Sequence, residues 1–188
     1  MNADINISGI VLKTQRLILR PWQQEDLDDF YEYARVDGVG QMAGWLPHES
    51  KETTRMILDS FISGKKTFAL ELDGKVIGSL GIEFYKEDEF PELDGLHGRS
   101  IGYVLSKDYW GQGLMPEAVK AVQQYLFEDA GFDFLLVSHY VWNGQSRRVI
   151  QKSGFQHIKT IQLQTRYGTT EDTLVYILKK EDWENAHT

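Results

Sequence analysis

The chain has 188 residues, a formal net charge of −8, no cysteine, 41% hydrophobic and 26% charged residues. That length suits one compact domain over residues 1–188 with the composition of an ordinary folded protein, not a disordered one. The missing cysteines exclude disulfides, thiolate metal sites and a cysteine nucleophile, and the acidic balance argues against nucleic acid as a partner, since phosphate binding needs a basic face.

Met1 to Asp4 carries neither the basic nor the apolar stretch of a secretory signal. No apolar run approaches the roughly 20 residues needed to cross a bilayer. A soluble, cytoplasmic protein without membrane contact is therefore expected. The acidic charge serves solubility, and it would also steer a cationic acceptor.

Leu12 to Arg20, with Leu17-Ile18-Leu19 before Pro21, reads as a first strand. Glu25 to Ala34 reads as a helix with Leu27, Phe30, Tyr31 and Ala34 on one face. Ser50 can cap a second helix whose stripe is Met56, Ile57 and Phe61. Thr67 to Leu72 and Val76 to Tyr85 flank Asp73-Gly74 and read as a hairpin. The acidic stretch Glu87 to Gly98 is a loop, and Ser100 to Ser106 resumes as a strand.

After Gly113 the period becomes helical through Met115, Ala118, Val119, Val122 and Leu126, with Pro116 harmless in the first turn. Phe134 to Trp142 is a strand and Gly144 to Ser153 a short helix. Two strands follow, near Phe155 to Gln164 and Thr173 to Leu178. The order β-α-α-β-β-β-α-β-α-β-β predicts an α/β fold, a mixed sheet with helices packed on it.

The most informative segment runs from Tyr103 to Ala118: a strand enters a glycine turn, Gly111-Gln112-Gly113, which opens a helix. The first N–H groups of a helix lack internal partners and its dipole is positive there, so such an end binds phosphates. Two glycines let a pyrophosphate approach the backbone closely, and the N–H groups of Gln112 to Met115 are the candidate donors. A G-x-G before a helix is also often only a turn. A dinucleotide-binding unit needs a further glycine or alanine where Pro116 stands, and a P-loop needs G-K-S/T.

Y-W-G-Q-G-L-M-P-E-A (109–118) followed by N-G-Q-S-R-R-V-I-Q-K-S-G-F (143–155) resembles the GNAT superfamily of acetyltransferases. Together with T-Q-R-L-I-L-R-P-W (14–22) and I-G-Y (101–103), it is similar to that superfamily's ribosomal-protein-alanine acetyltransferase branch. The likeness spans about Thr14 to Leu178. It implies a mostly antiparallel sheet in which two parallel strands, 100–106 and 134–142, splay apart to take acetyl-CoA, with helices on both faces. By the same resemblance, backbone of Tyr103, Val104 and Leu105 pairs with the pantetheine arm. Gly111, Gln112, Gly113, Leu114 and Met115 hold the pyrophosphate, and Asn143 and Ser146 face the thioester end. Homodimers would be unsurprising for the family.

This chain departs from the pattern in places. Trp110 and Met115 stand at the ends of the glycine loop. The tyrosine that many members place seven residues after the asparagine is Ile150, which cannot donate a proton. The glutamate often found before I-G-Y is Ser100.

Acetyl transfer to an amine requires a neutral amine, donors at the oxyanion and an acid for the leaving thiolate, whose thiol pKa is about 8.5. No metal is needed. The expected oxyanion donor is a strand N–H around Val104 or Leu105. Ser146 is the candidate acid, and it reads equally as the completion of a cap begun by Asn143. Tyr140 is the alternative acid, or a packed strand aromatic. Glu83 is the candidate base acting through water, or a solvated strand-end carboxylate. His139 titrates in the right range but alternates with Val137 and Val141, as a core histidine would.

Arg147, Arg148 and Lys152 are candidates for the coenzyme's 3′-phosphate, or ordinary solvated charges. The cluster Glu87, Asp88, Glu89, Glu92 and Asp94 would draw a cationic acceptor or simply face solvent. Trp45, Pro47 and His48 fall where the superfamily shapes its acceptor pocket. The expected activity is acetyl transfer to a protein N-terminus or a small-molecule amine. The alternative is a catalytically silent coenzyme-A-binding regulatory module.

Overall fold

The computed structural model describes residues 1–188. Its centre is one eight-stranded sheet in the order β1-β2-β3-β4-β5-β6-β8-β7. The strands are β1 (Leu12–Lys13), β2 (Ile18–Pro21), β3 (Thr67–Leu72), β4 (Lys75–Glu83), β5 (Gly98–Leu105), β6 (Phe134–Tyr140), β7 (Gln156–Gln164) and β8 (Thr170–Lys179). Only β5 and β6 run parallel; every other pairing between named strands is antiparallel. The helices are α1 (Leu27–Ala34), α2 (Lys51–Gly64), α3 (Leu114–Gln124), α4 (Gly144–Lys152) and α5 (Lys180–His187).

Helices cover both faces. On one, α3, Ile150 of α4 and Trp183 of α5 pack over Leu19, Phe68, Leu80 and Leu135. On the other, α1 and α2 bury Phe30, Tyr33 and Leu58 against Ala69, Val76 and Val104. Beyond them Phe90 and Leu93 of the acidic loop cover Phe134, Leu136 and Val175. No helix is long and apolar enough to cross a membrane.

Several local expectations are met where short-range chemistry decides. Ser50 Oγ accepts from Thr53 N–H at 3.2 Å and starts α2. Asp73 and Gly74 have φ of 50° and 82°, the paired positive angles of a tight hairpin turn.

Others are corrected. The expected first strand breaks into β1 and β2, because Thr14 N–H bonds Leu17 C=O (2.9 Å) and reverses the chain. The first helix begins as a 3₁₀ turn at Gln24–Asp26, and Tyr33 joins its buried face. Met56 is 72% exposed, so the stripe of α2 is Thr54 and Leu58, flanked by Ile57 and Phe61. The 87–98 loop contains two 3₁₀ turns, Glu87–Glu89 and Pro91–Leu93, and Gly98 already belongs to β5. The strand expected to reach Trp142 ends at Tyr140. The C-terminal helix α5 was not foreseen.

Candidate active site

The site is built around a gap in the sheet. β5 and β6 pair only from Gly98↔Phe134 to Ile101↔Val137. β5 continues along β4 to Leu105, and β6 continues along β8 to Tyr140, so the two strands part beyond Ile101 and Val137.

Backbone direction decides what the gap offers. Gly98 bonds outward to Met1 and Ala3, and Ser106 N–H donates to Ile77 of β4 at 2.7 Å. Backbone groups alternate sides along a strand. The even-numbered residues of β5 therefore bond toward β4, and Tyr103 and Leu105 turn theirs into the gap. Trp110 Nε1 donates to Leu105 C=O at 2.8 Å. Tyr103 N–H, Tyr103 C=O and Leu105 N–H remain for a bound chain. The Val104 N–H, an expected oxyanion donor, turns to β4 instead, and Val104 contributes only its side chain to the cavity wall.

At one end of the gap lies a cavity of about 440 Å³, lined by Gly111, Gln112, Gly113, Leu114 and Met115 at the start of α3. Gly111 and Gly113 have φ of 76° and 75°, which favours glycine at both. Arg148 and Lys152, four apart on one face of α4, line the opposite wall, whereas Arg147 does not reach it. The loop is clamped from β1 and β2. Arg16 Nη1 donates to Gln112 C=O (2.8 Å), and Arg16 also pairs with Glu117 (2.8 Å). Thr14 Oγ1 donates to the same carboxylate at 2.6 Å. Burial works to raise the Glu117 pKa, but the bonds from Thr14 and Arg16 prevail and hold it low. The Thr14–Leu17 turn thus has a role that composition did not reveal.

A narrow passage, about 60 Å³, leads on between Tyr103, Met115, Asn143 and Ser146. It opens into a chamber of about 190 Å³ bounded by Met42, Ala43, Gly102, Ser138 and Tyr140. Asn143 is 3% exposed and both its polar ends are used. Oδ1 accepts from Ser146 N–H (3.0 Å), capping α4, and Nδ2 donates to Met42 C=O (3.2 Å), tying α4 to the 3₁₀ turn Gly40–Ala43. Asn143 is thus a cap and a tether. Ser146 Oγ lies 2.8 Å from Tyr103 Oη at the passage's inner end. Burial pushes the Tyr103 hydroxyl up, with the Ser146 bond opposing, so it stays protonated.

Tyr140 lines the chamber, stacked on Trp142 at 5.4 Å. Its hydroxyl sits against Gly44, where a Cβ would fall 2.3 Å away. Burial raises its pKa, aided by Tyr167 and Glu171. His139 is 4% exposed. Its Nδ1 bonds Tyr140 C=O (2.7 Å), which can only accept, so Nε2 accepts from Tyr176 Oη (3.1 Å). Burial lowers its pKa, and with both nitrogens engaged it is buried beside Val137, bordering the chamber, whereas Val141 is exposed.

Glu83 lines none of these three spaces. It is 44% exposed and paired with Lys66. It stands directly across from Ser100, and its carboxylate lies over Gly81, where a Cβ would meet Oε1 at 2.3 Å. Gly81 in turn faces Gly102, the floor of the chamber.

Trp45 and His48 are not chamber walls. Trp45 covers Gly40, and His48 Nδ1 bonds Thr54 Oγ1 (2.8 Å) beneath the Phe30 ring. The wall they were expected to form comes from Met42 and Ala43, which carry no sequence signal. In the acidic cluster, Glu87 accepts from Asn2 N–H, and Glu89 pairs with Lys86. Ile150, where many superfamily members carry tyrosine, is fully buried under the sheet.

The model of the acetyltransferase (GNAT) domain matches residues 16–156. An uncharacterized N-acetyltransferase of Bacillus subtilis (strain 168), YoaA, is 28% identical over 178 residues, covering 90% of this chain and 97% of its own. A GNAT-family acetyltransferase from Bacillus anthracis superposes with a TM-score of 0.80 at 22% identity, over 92% of this chain and 99% of its own. Mycobacterium smegmatis RimJ, solved with CoA-disulfide, superposes with a TM-score of 0.73 at 17% identity, over 94% of each chain. With a splayed parallel pair, a glycine-loop helix end and a matching family model, the chain belongs to the GNAT family of acetyl-CoA-dependent N-acetyltransferases.

Proposed function

We propose that the protein transfers acetyl from acetyl-CoA straight to a primary amine while both are bound, with Ser146 as the acid. The observation that carries this is the Tyr103–Ser146 hydroxyl pair, 2.8 Å apart at the inner end of the passage. In this reading the pantetheine arm lies along Tyr103 and Leu105, beside the Val104 side chain. The pyrophosphate meets the N–H groups of Gln112, Gly113, Leu114 and Met115 beside Gly111. Arg148 and Lys152 meet the 3′-phosphate. The Tyr103 or Leu105 N–H stabilises the oxyanion. Ser146 passes its proton to the departing thiolate and recovers one from solvent as coenzyme A leaves, while Tyr103, kept protonated by burial, holds the Ser146 hydroxyl in place.

Glu83 draws the amine's proton through water from above Gly81. Tyr140 shapes the chamber around the amine and is the fallback acid. Direct transfer is favoured because the Ser146 hydroxyl is paired with a phenol, which cannot activate it as a nucleophile. A cysteine-free chain suits the reducing cytoplasm.

Steady-state kinetics with a working amine test the reading. Ser146→Ala should lower kcat by roughly 10²–10⁴, the range of general acid catalysis. Tyr103→Phe should cost less, because Ser146 itself remains. Initial-rate lines should intersect. Parallel lines would refute direct transfer, and an undiminished kcat in Ser146→Ala would remove Ser146 as the acid. Tight acetyl-CoA binding with no amine consumed would point to the silent regulatory module.

A further inference from the structure

The chamber does not end at Tyr140. Through Ser138 and Leu163 it continues into a second space of about 210 Å³ on the same face of the sheet. This trough is apolar. Its walls are Phe84, Tyr85 and Phe90 on one side, Leu136 and Val175 beneath, and Ile161 on the other. Ser100 and Ser138 keep its floor low next to Gly102, which has no side chain. Phe84 is 66% exposed at the rim, with the Arg99 guanidinium carbon 3.8 Å from its ring centroid. Two charged groups line it, Lys86 and Glu89, paired with each other at 3.1 Å, and the Lys159 ammonium lies over the Phe90 ring at 3.7 Å.

Resting on the acetyl-transfer reading above, we infer that this trough receives the body of the acceptor, and that the preferred acceptor is an amine carrying an aromatic or branched aliphatic group. Size, distance and polarity carry this. A cavity of about 150 Å³ lined by aliphatic and aromatic groups is enough to hold benzene, so 210 Å³ takes one ring or a branched chain. Leu136 lies two residues along β6 from Ser138, about 7 Å at the rise of a strand. An apolar group three to five bonds from the nitrogen would therefore reach the trough with the amine in the chamber. A polyamine or an amino alcohol would instead set charge or hydroxyls against Phe84, Leu136 and Ile161, a desolvation cost, since the Glu89 carboxylate is already paired with Lys86.

The test uses the full chain, acetyl-CoA and amines of differing body: phenethylamine, the dipeptide amide Ala-Phe-NH₂, ethanolamine and spermidine. The expected result is a kcat/KM at least tenfold higher for an apolar amine than for ethanolamine or spermidine, about 1.4 kcal/mol of selectivity. The first two compounds separate a small apolar amine from a peptide N-terminus with an apolar second residue. In Ile161→Asp that ratio should collapse through a raised KM for the apolar amine. Thermal midpoint and acetyl-CoA affinity confirm that this variant is folded. Equilibrium binding of N-acetylphenethylamine, the product, is measured alongside in both proteins. Binding lost in Ile161→Asp supports the trough even if no amine is turned over, an outcome that would overturn the acetyl-transfer reading instead. A preference for ethanolamine or spermidine, or product binding indifferent to Ile161→Asp, overturns the trough.

Discussion

Replacing Gly113 with alanine separates the two things that residue does. It caps α3 at φ 75°, and an added Cβ would find Arg16 Nη2 at 3.6 Å, an ordinary contact. The cost to folding is thus conformational rather than steric. An L-residue in the left-handed region costs about 1–2 kcal/mol, and the stiffer unfolded chain returns about 0.4–1 kcal/mol. The net is about 1 kcal/mol, a midpoint fall of roughly 2–4 °C for a domain of this size.

The second effect is on ligand. With ~1 mM acetyl-CoA and a dissociation constant near ~10 μM, the wild-type protein gains about 2.7 kcal/mol, or roughly 5–10 °C. If the pyrophosphate sits at this helix end as proposed, a methyl there should weaken binding about tenfold, which halves that gain to about 1.4 kcal/mol. Gly9→Ala is the control: its φ is 72° and nothing lies within 4 Å of an added Cβ. It should lose the same stability and keep the full acetyl-CoA shift. Thermal unfolding of the three proteins with and without acetyl-CoA decides the matter. A Gly113→Ala protein whose acetyl-CoA shift equals that of Gly9→Ala would refute the placement of the pyrophosphate at this helix end.

Ile150→Tyr will not restore the family's acid, because Ile150 is fully buried in the core. Overpacking should cost about 1–3 kcal/mol in thermal unfolding, with no gain in kcat; a faster enzyme would show that the position does reach the thioester. Arg148→Ala combined with Lys152→Ala should weaken coenzyme A roughly tenfold and leave 3′-dephospho-coenzyme A nearly untouched, since only the former carries the phosphate these cations are proposed to meet. Equal losses for both ligands in calorimetry would place these cations elsewhere. His139 and His48 both have pKa values lowered by burial. Between those values and the unfolded pKa of about 6.5 the unfolded chain binds more protons. Their contribution is therefore complete above about pH 6.5 and is lost as pH falls below it. His139→Gln should flatten the decline in thermal midpoint between pH 7.5 and 5.5, with His48 left to supply the rest; an unchanged slope would mean that His139 is not neutral and buried.

What could be read from the chain was what short-range chemistry determines. Glycine before a helix, serine at a cap and Asp73-Gly74 in a turn each satisfy a constraint within a few residues, and the structure keeps all of them. Helix facing was read less well. Of the expected α2 stripe, Ile57 and Phe61 pack on the core and only Met56 turns out to water, while the fully buried positions are Thr54 and Leu58, turned to one side of that stripe by about one residue step of 100°. Helix α5 has one buried residue, Trp183, and so no apolar period to detect. The chamber was the least legible part. Met42 and Ala43 enter it because Asn143 holds the Met42 carbonyl across 101 positions of sequence. Ser146 meets Tyr103 across 43. No local pattern encodes such pairings.

The two departures from the family pattern lose their force once register is considered. Ser100 lacks a carboxylate, but the residue paired with it on β4 is Glu83, whose carboxylate, ion-paired with Lys66, lies over the sheet because Gly81 has no side chain to block it. Ile150 lacks a hydroxyl, but Tyr103 projects one from β5 to within 2.8 Å of Ser146 on α4. Under the roles proposed above, the functional group in both cases comes from a neighbouring element. A comparison by sequence position sees a missing glutamate and a missing tyrosine, because it asks what stands at one place in the chain. Proton transfer depends on what stands at one place in space. The gap between β5 and β6 is fixed by backbone, so side chains around it can be supplied from either neighbour without moving the thioester. If acid and base are placed as proposed, the protein should tolerate Ile150 in its core and should depend on Gly81, so that Gly81→Ala lowers kcat, which a chain with its carboxylate at position 100 would not show.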